Sequence, residues 1–172
     1  YKQIKDNFGI LTRAALLALF LIYFILVLQF HSFIQPLVIF LTIPLALIGS
    51  ILGLLLFRQP LSFMAFIGMV SLTGLVIRNA ILLIAFINDA RARGLAVEKA
   101  CEDAVERRFR PIILSAVTAT IGLVPLALSG SSLFVPLAIA IIFGLLVATL
   151  LTMVIIPVVY SLLLPERTEV KA

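Results

Sequence analysis

Apolar residues fall into five long runs, at about residues 10–30, 36–57, 61–87, 111–128 and 134–164, with short polar breaks between most of them. Runs of roughly 20 apolar residues are long enough to cross the hydrocarbon core of a bilayer at about 1.5 Å per residue. None of them alternates with the period of an outer-membrane strand. Lipid cannot satisfy an open backbone, so each run is predicted to be a helix. The fifth run exceeds what a crossing needs, which predicts tilt or a short surface helix before Pro136. The pattern predicts an all-α integral membrane protein: a single membrane domain over residues 1–172, built as a bundle of five transmembrane helices.

The breaks at 31–35, 58–60 and 129–132 are short, whereas 88–110 is one long charged connector. Inside it Val97, Cys101, Val105 and Phe109 recur every four residues, with Ala100 and Ala104 beside them. Asp103 to Arg107 and Glu106 to Arg110 have the favourable acid-first spacing. This predicts an amphipathic helix lying along the polar face of the bundle, with a partner-docking helix as the lesser alternative. Gly49 and Gly53 form a small-residue pair suited to close helix approach. Pro44, Pro125 and Pro157 should kink their helices, and Pro111 suits a first helical turn.

Composition agrees with the pattern: 63% of the 172 residues are hydrophobic and 12% are charged, about half the charge of an ordinary soluble domain. The net charge of +5 sits in the loops, which reads as a topology signal and not as a nucleic-acid surface. Arg91, Arg93, Lys99, Arg107, Arg108 and Arg110 in the connector, with Arg167 and Lys171 in the tail, place those segments in the cytoplasm. The N-terminus is then outside, which predicts the second part of a longer protein. Lys2, Lys5 and Arg13 before an apolar run imitate a signal peptide, but no small-residue cleavage pattern follows. The single cysteine, Cys101, excludes an internal disulfide and a cysteine-rich metal site. Met64, Met69 and Met153 are too scattered for a soft-metal relay, and His31, in a short loop on the expected cytoplasmic side, is not expected to be a ligand. No Ser/His/Asp set, phosphate loop or zinc spacing is present, so neither an enzyme nor a bound cofactor is expected.

The candidate chemistry lies in the third run, where Arg78 and Asn79 stand side by side among apolar residues. A charge at that depth costs about 3 kcal/mol or more unless it faces a bundle interior or a water-filled cavity. Its distance from both ends of the run makes snorkelling awkward. The acids Asp6, Asp89, Glu98, Glu102, Asp103, Glu106, Glu166 and Glu169 all lie outside the span cores. Arg78 must therefore meet a carboxylate from other sequence, or backbone carbonyls and water. A guanidinium stays protonated, so it cannot carry a proton, but it can depress the pKa of a nearby acid. Asn79 could bond between helices. Ser115, Thr118 and Thr120 on the fourth run could each bond back to their own helix. Ser115 and Thr118 share a face, so a polar track toward Arg78 is the other possibility.

Several stretches, in order, carry a resemblance. They are Leu28-Gln-Phe-His-Ser-Phe33, Thr42-Ile-Pro-Leu-Ala-Leu-Ile-Gly49, Gly74-Leu-Val-Ile-Arg-Asn-Ala-Ile-Leu82, Arg108-Phe-Arg-Pro-Ile-Ile-Leu-Ser115 and Gly122-Leu-Val-Pro-Leu126. With them the chain resembles the C-terminal five-helix part of a resistance-nodulation-division (RND) efflux permease of the acriflavine-resistance, multidrug type, from about Ile10 to Leu164. The resemblance implies helices eight to twelve of a twelve-helix transporter in the bacterial inner membrane, working as a proton/substrate antiporter driven by the proton gradient. It implies a homotrimer, an N-terminal half supplying mid-membrane aspartates, and a periplasmic adaptor with an outer-membrane channel. Arg78 stands where the family has a lysine of the proton site. Arg108 matches the arginine at the start of the eleventh helix, and Ser115 stands where a threonine is usual. With Asn79 and Thr118 these make the candidate proton-relay set. Two other readings stay open: a non-transporting membrane scaffold or assembly subunit, and an RND relative exporting metal ions, lipids or proteins. A passive channel is disfavoured, because no ring-forming polar series lines any span.

Overall fold

The computed structural model describes the backbone of residues 2–163 and the side chains of residues 8–163. The tail residues Arg167, Lys171, Glu166 and Glu169 and the side chains of Lys2, Lys5 and Asp6 lie outside this range. The described residues form six helices and no strand: α1 Lys2–Phe30, α2 Ile34–Phe40, α3 Thr42–Leu56, α4 Phe63–Ala92, α5 Val97–Ala127 and α6 Phe134–Leu163. They supply five stretches long and apolar enough to cross a membrane, α2 and α3 together making one of them.

The second span is interrupted at Leu41. Pro44 has no N–H to bond the Phe40 carbonyl, so the ladder is cut one turn before the proline. The chain stays wound through the cut, with the Leu41 N–H bonded to the Leu37 carbonyl at 3.1 Å.

The connector differs from expectation. α4 runs on to Ala92, and only residues 93–96 separate it from α5. The amphipathic stretch and the fourth span are one continuous helix that passes through Pro111. Pro111 is thus inside a helix, not in a first turn. A proline forfeits one backbone bond, and packing on both sides of it outweighs that loss. Before it, Val97, Ala100, Cys101 and Ala104 join the core formed by Ile84, Ile87 and Ala90; after it, Ile112 and Ala116 are buried. Phe109, expected on the packed face, is 48% exposed. A four-residue step advances about 40° beyond a full turn, so three steps carry Phe109 off the stripe that Val97 starts. α6 likewise begins at Phe134, with no separate surface helix before Pro136.

α6 is the hub and touches α2, α3, α4 and α5. Its closest neighbour is α3, where glycines remove the side chains that would keep the backbones apart. A methyl group on Gly49 would sit 2.7 Å from the Val147 Cβ and 3.0 Å from the Phe143 carbonyl oxygen. Gly53 faces the Phe143 side chain, and the Ser50 hydroxyl donates to the Ala140 carbonyl at 2.8 Å. α1 is the opposite case: of its described side chains only Leu26 is fully buried, and among the described residues it touches only α2 and α4.

Candidate functional site

α4 carries the central residues. Ser62 caps it by accepting from the Ala65 N–H at 3.2 Å. Its residues then divide between a buried stripe, including Leu72, Val76, Ala80, Leu83 and Ile87, and an outward stripe. Ser71, Gly74, Arg78 and Leu82 make that outward stripe, three or four residues apart, and all are exposed. Arg78 stands in the middle of the helix, about 20 Å from either end at 1.5 Å per residue. No described residue forms an ion pair or hydrogen bond with it. Asp89, the acid of the same helix, pairs with Arg93 at 3.3 Å. Asp103 pairs with Arg107 at 2.7 Å and lies 3.9 Å from Arg93. A mid-span guanidinium cannot stably face lipid tails, so this outward stripe is a surface that something polar must cover.

Asn79, one residue on, is turned about 100° around the helix axis and is only 8% exposed. It lines a small cavity between α4, α5 and α6 with Ile112, Thr149, Thr152 and Met153. Adjacent in sequence, Arg78 and Asn79 serve different faces.

Ser115 and Thr118 are both exposed on α5, a turn or two beyond Ile112. The Ser115 hydroxyl donates to the Ile112 carbonyl at 2.8 Å, so its proton is committed to its own helix while its oxygen remains able to accept. The Thr120 hydroxyl is buried without a partner. Arg108 stacks on Phe86 of α4, its guanidinium carbon 5.0 Å from the ring centroid, and its buried Nε has no acceptor. That cation–π contact ties the start of the fourth span to the end of α4. Arg78 and Asn79 share α4, while Ser115, Thr118 and Arg108 follow one another along α5; no hydrogen bond joins the two groups.

A second polar cluster escapes the sequence pattern. Gln35 and Asn88 exchange amide hydrogen bonds: the Gln35 Nε2 donates to the Asn88 Oδ1 at 3.1 Å and the Asn88 Nδ2 to the Gln35 Oε1 at 2.8 Å. The Tyr160 hydroxyl donates to the same Asn88 Oδ1 at 2.6 Å and accepts from the Arg91 Nη1 at 3.2 Å. This clasp joins α2, α4 and α6 at the end of the bundle that carries the charged connector. Its only signal in the sequence is a run of polar residues at span ends, which a loop would also produce. Beside it, burial pushes the Cys101 thiol up, partly offset by the Arg91 charge, and its sulfur lies 3.8 Å from the Pro157 carbonyl oxygen. Among the described residues no cluster of His, Cys, Asp and Glu side chains is arranged to hold a metal ion.

The sequence matches the profile of the AcrB/AcrD/AcrF family over residues 3–164. It is 39% identical over 172 residues to the swarming motility protein SwrC of Bacillus subtilis, a match covering 97% of this chain and 16% of that protein. It is 42% identical over 164 residues to the multidrug resistance protein MdtC of Salmonella paratyphi A, covering 93% of this chain and 16% of that one. Among solved structures, a crystal form of a heavy metal efflux pump superposes with a TM-score of 0.83 at 30% identity, covering 94% of this chain and 16% of the pump. The chain thus spans about one sixth of the length of these relatives.

Proposed function

The chain belongs to the AcrB/AcrD/AcrF family, and from that premise we propose that it is part of the transmembrane energy-coupling domain of a proton-driven RND exporter of drugs or other amphiphilic compounds. The observation that carries this reading is Arg78: mid-span, exposed, and without a counter-charge among the described residues. The role that fits is counter-ion to acids supplied by an N-terminal half of the transporter. Its fixed charge holds a facing carboxylate ionised, and protonation of that carboxylate from the outside releases the pair. The proton is then carried by the acid and never by Arg78. Ser115 and Thr118 offer hydroxyls on the exposed side of α5, and Arg108 a cation nearer the connector end.

In the same reading the five spans are the eighth to twelfth of twelve, the charged connector and the tail are cytoplasmic, and three copies of the full protein assemble in the bacterial inner membrane with an adaptor and an outer-membrane channel. The excess of Lys and Arg in the connector supports that orientation. A second cargo class, metal ions, is favoured by the structural likeness to a heavy metal efflux pump. The higher identity to a multidrug resistance protein favours drugs.

The test is transport by the full-length protein in proteoliposomes, with drug efflux, metal-ion efflux and proton flux read in parallel for wild type, Arg78→Lys and Arg78→Ala. Arg78→Ala is expected to abolish both cargo and proton flux in a folded protein, and Arg78→Lys to retain them. Proton-coupled transport that survives Arg78→Ala would leave Arg78 a structural residue and sink the relay reading. Absence of any cargo flux in wild type would favour a scaffold.

A further inference from the structure

Several hydroxyls in these helices bond to the carbonyl three or four residues earlier, as those of Thr12, Thr42, Thr73, Ser115 and Ser161 do. Thr149 and Thr152 of α6 do not. Each is 4% exposed, and each hydroxyl is buried with no hydrogen-bond partner. They stand one helical turn apart on one face of α6 and line the same small cavity as the inward-turned Asn79 of α4. Three polar side chains from two helices thus line one small cavity. An unpartnered buried hydroxyl is costly when its own backbone could have satisfied it, so something in the cavity must take the place of those bonds.

The cavity measures about 10 Å³, which is room for a single water and no larger ligand. Its polar lining is neutral: two hydroxyls and an amide, with no carboxylate to compensate a cation. We propose that Asn79, Thr149 and Thr152 form a binding site for one buried water molecule that bridges α4 to α6. The two hydroxyls donate to the water oxygen, and the water donates to the amide oxygen of Asn79. Ile112 and Met153 line the site from α5 and α6. This gives Asn79 a partner on a different face of α4 from Arg78. The site stands whether or not the exporter reading holds, and its test reads neither transport nor proton flux.

The test is a density map of the full-length protein at a resolution that shows ordered waters, together with the thermal stability of Thr152→Val and Thr149→Ser. Wild type is expected to show one peak within about 2.7–3.2 Å of both threonine hydroxyls and the Asn79 amide. Thr152→Val keeps the shape but not the hydroxyl, and should lose the peak and melt at a lower temperature than wild type. Thr149→Ser keeps the hydroxyl and should keep the peak. An empty cavity in a map that resolves other buried waters overturns the proposal. So does a Thr152→Val protein that melts at or above the wild-type temperature, because removing an orphaned hydroxyl from a dry cavity is stabilising. A peak at metal–oxygen distances of about 2.4 Å would replace the water with a cation and equally overturn it. If Thr152→Val does not fold, the wild-type map alone decides.

Discussion

Tyr160 shows how a single hydroxyl can serve helices far apart in the chain. It is completely buried, donates to Asn88 and accepts from Arg91, and its ring lies 5.9 Å from the Arg91 guanidinium carbon. Tyr160→Phe keeps the ring and removes only the hydroxyl. Asn88 retains its reciprocal bonds to Gln35, so the loss should be limited to about 1–2 kcal/mol of stability, read as a lower midpoint in thermal or denaturant unfolding of the full-length protein. A midpoint equal to wild type would show that the clasp contributes nothing. Arg78 is the contrasting residue: among the described residues it has no partner, so its replacement is expected to change transport more than it changes the packing of these helices.

At the scale of elements, the tightest interface is α3 against α6, and it depends on what is absent from three positions, Gly49 and Gly53 of α3 and Gly144 of α6. Gly49→Ala places a methyl group against the Val147 side chain and, less forgivingly, against the Phe143 backbone carbonyl. Alanine favours helix by up to about 1 kcal/mol over glycine, but overpacking of this kind costs about 1–3 kcal/mol. The variant should therefore be less stable than wild type in detergent unfolding, and a gain in stability would mean that α3 and α6 can separate freely. Gly74 and Gly122 make a useful comparison, since a methyl group at either would meet nothing within 4 Å. The same scale explains α5. Its connector half buries Val97, Ala100, Cys101 and Ala104 against α4 and α6, which is enough to carry the helix through Pro111.

At the scale of the whole molecule, two surfaces are unlike. α1 is apolar nearly all round, with Leu16, Leu17, Phe20, Leu21, Phe24 and Leu28 all at least half exposed, as suits a helix bathed in lipid. The outward stripe of α4 is different, because it holds a charge that lipid does not tolerate. It should be covered by another helix of the full protein. In a Cys101→Ser background, Gly74→Cys is expected to form disulfide cross-links with cysteines placed along an acid-bearing helix of the N-terminal half. Ile84→Cys, fully buried within this bundle, should form none. Failure of every Gly74→Cys pairing would mean that water, and not protein, covers Arg78.

The sequence by itself determined the spans, the isolation of Arg78 and the resemblance that the family match bears out. These are properties of composition and local order: a run of about 20 apolar residues can only be a helix in lipid, and a list of acids shows directly that none sits at mid-span. The glycine pair was legible for the same reason, since a small residue every fourth position is a local pattern. Three things only the tertiary structure decided. The direction in which Asn79 turns depends on which side of α4 meets α6, and nothing within α4 states that. Continuity of α5 through Pro111 depends on burial against α4 and α6, which outweighs a local rule about proline. The Gln35–Asn88–Tyr160–Arg91 clasp joins residues 53 to 72 positions apart, and polar residues at span ends look alike until packing brings particular ones together.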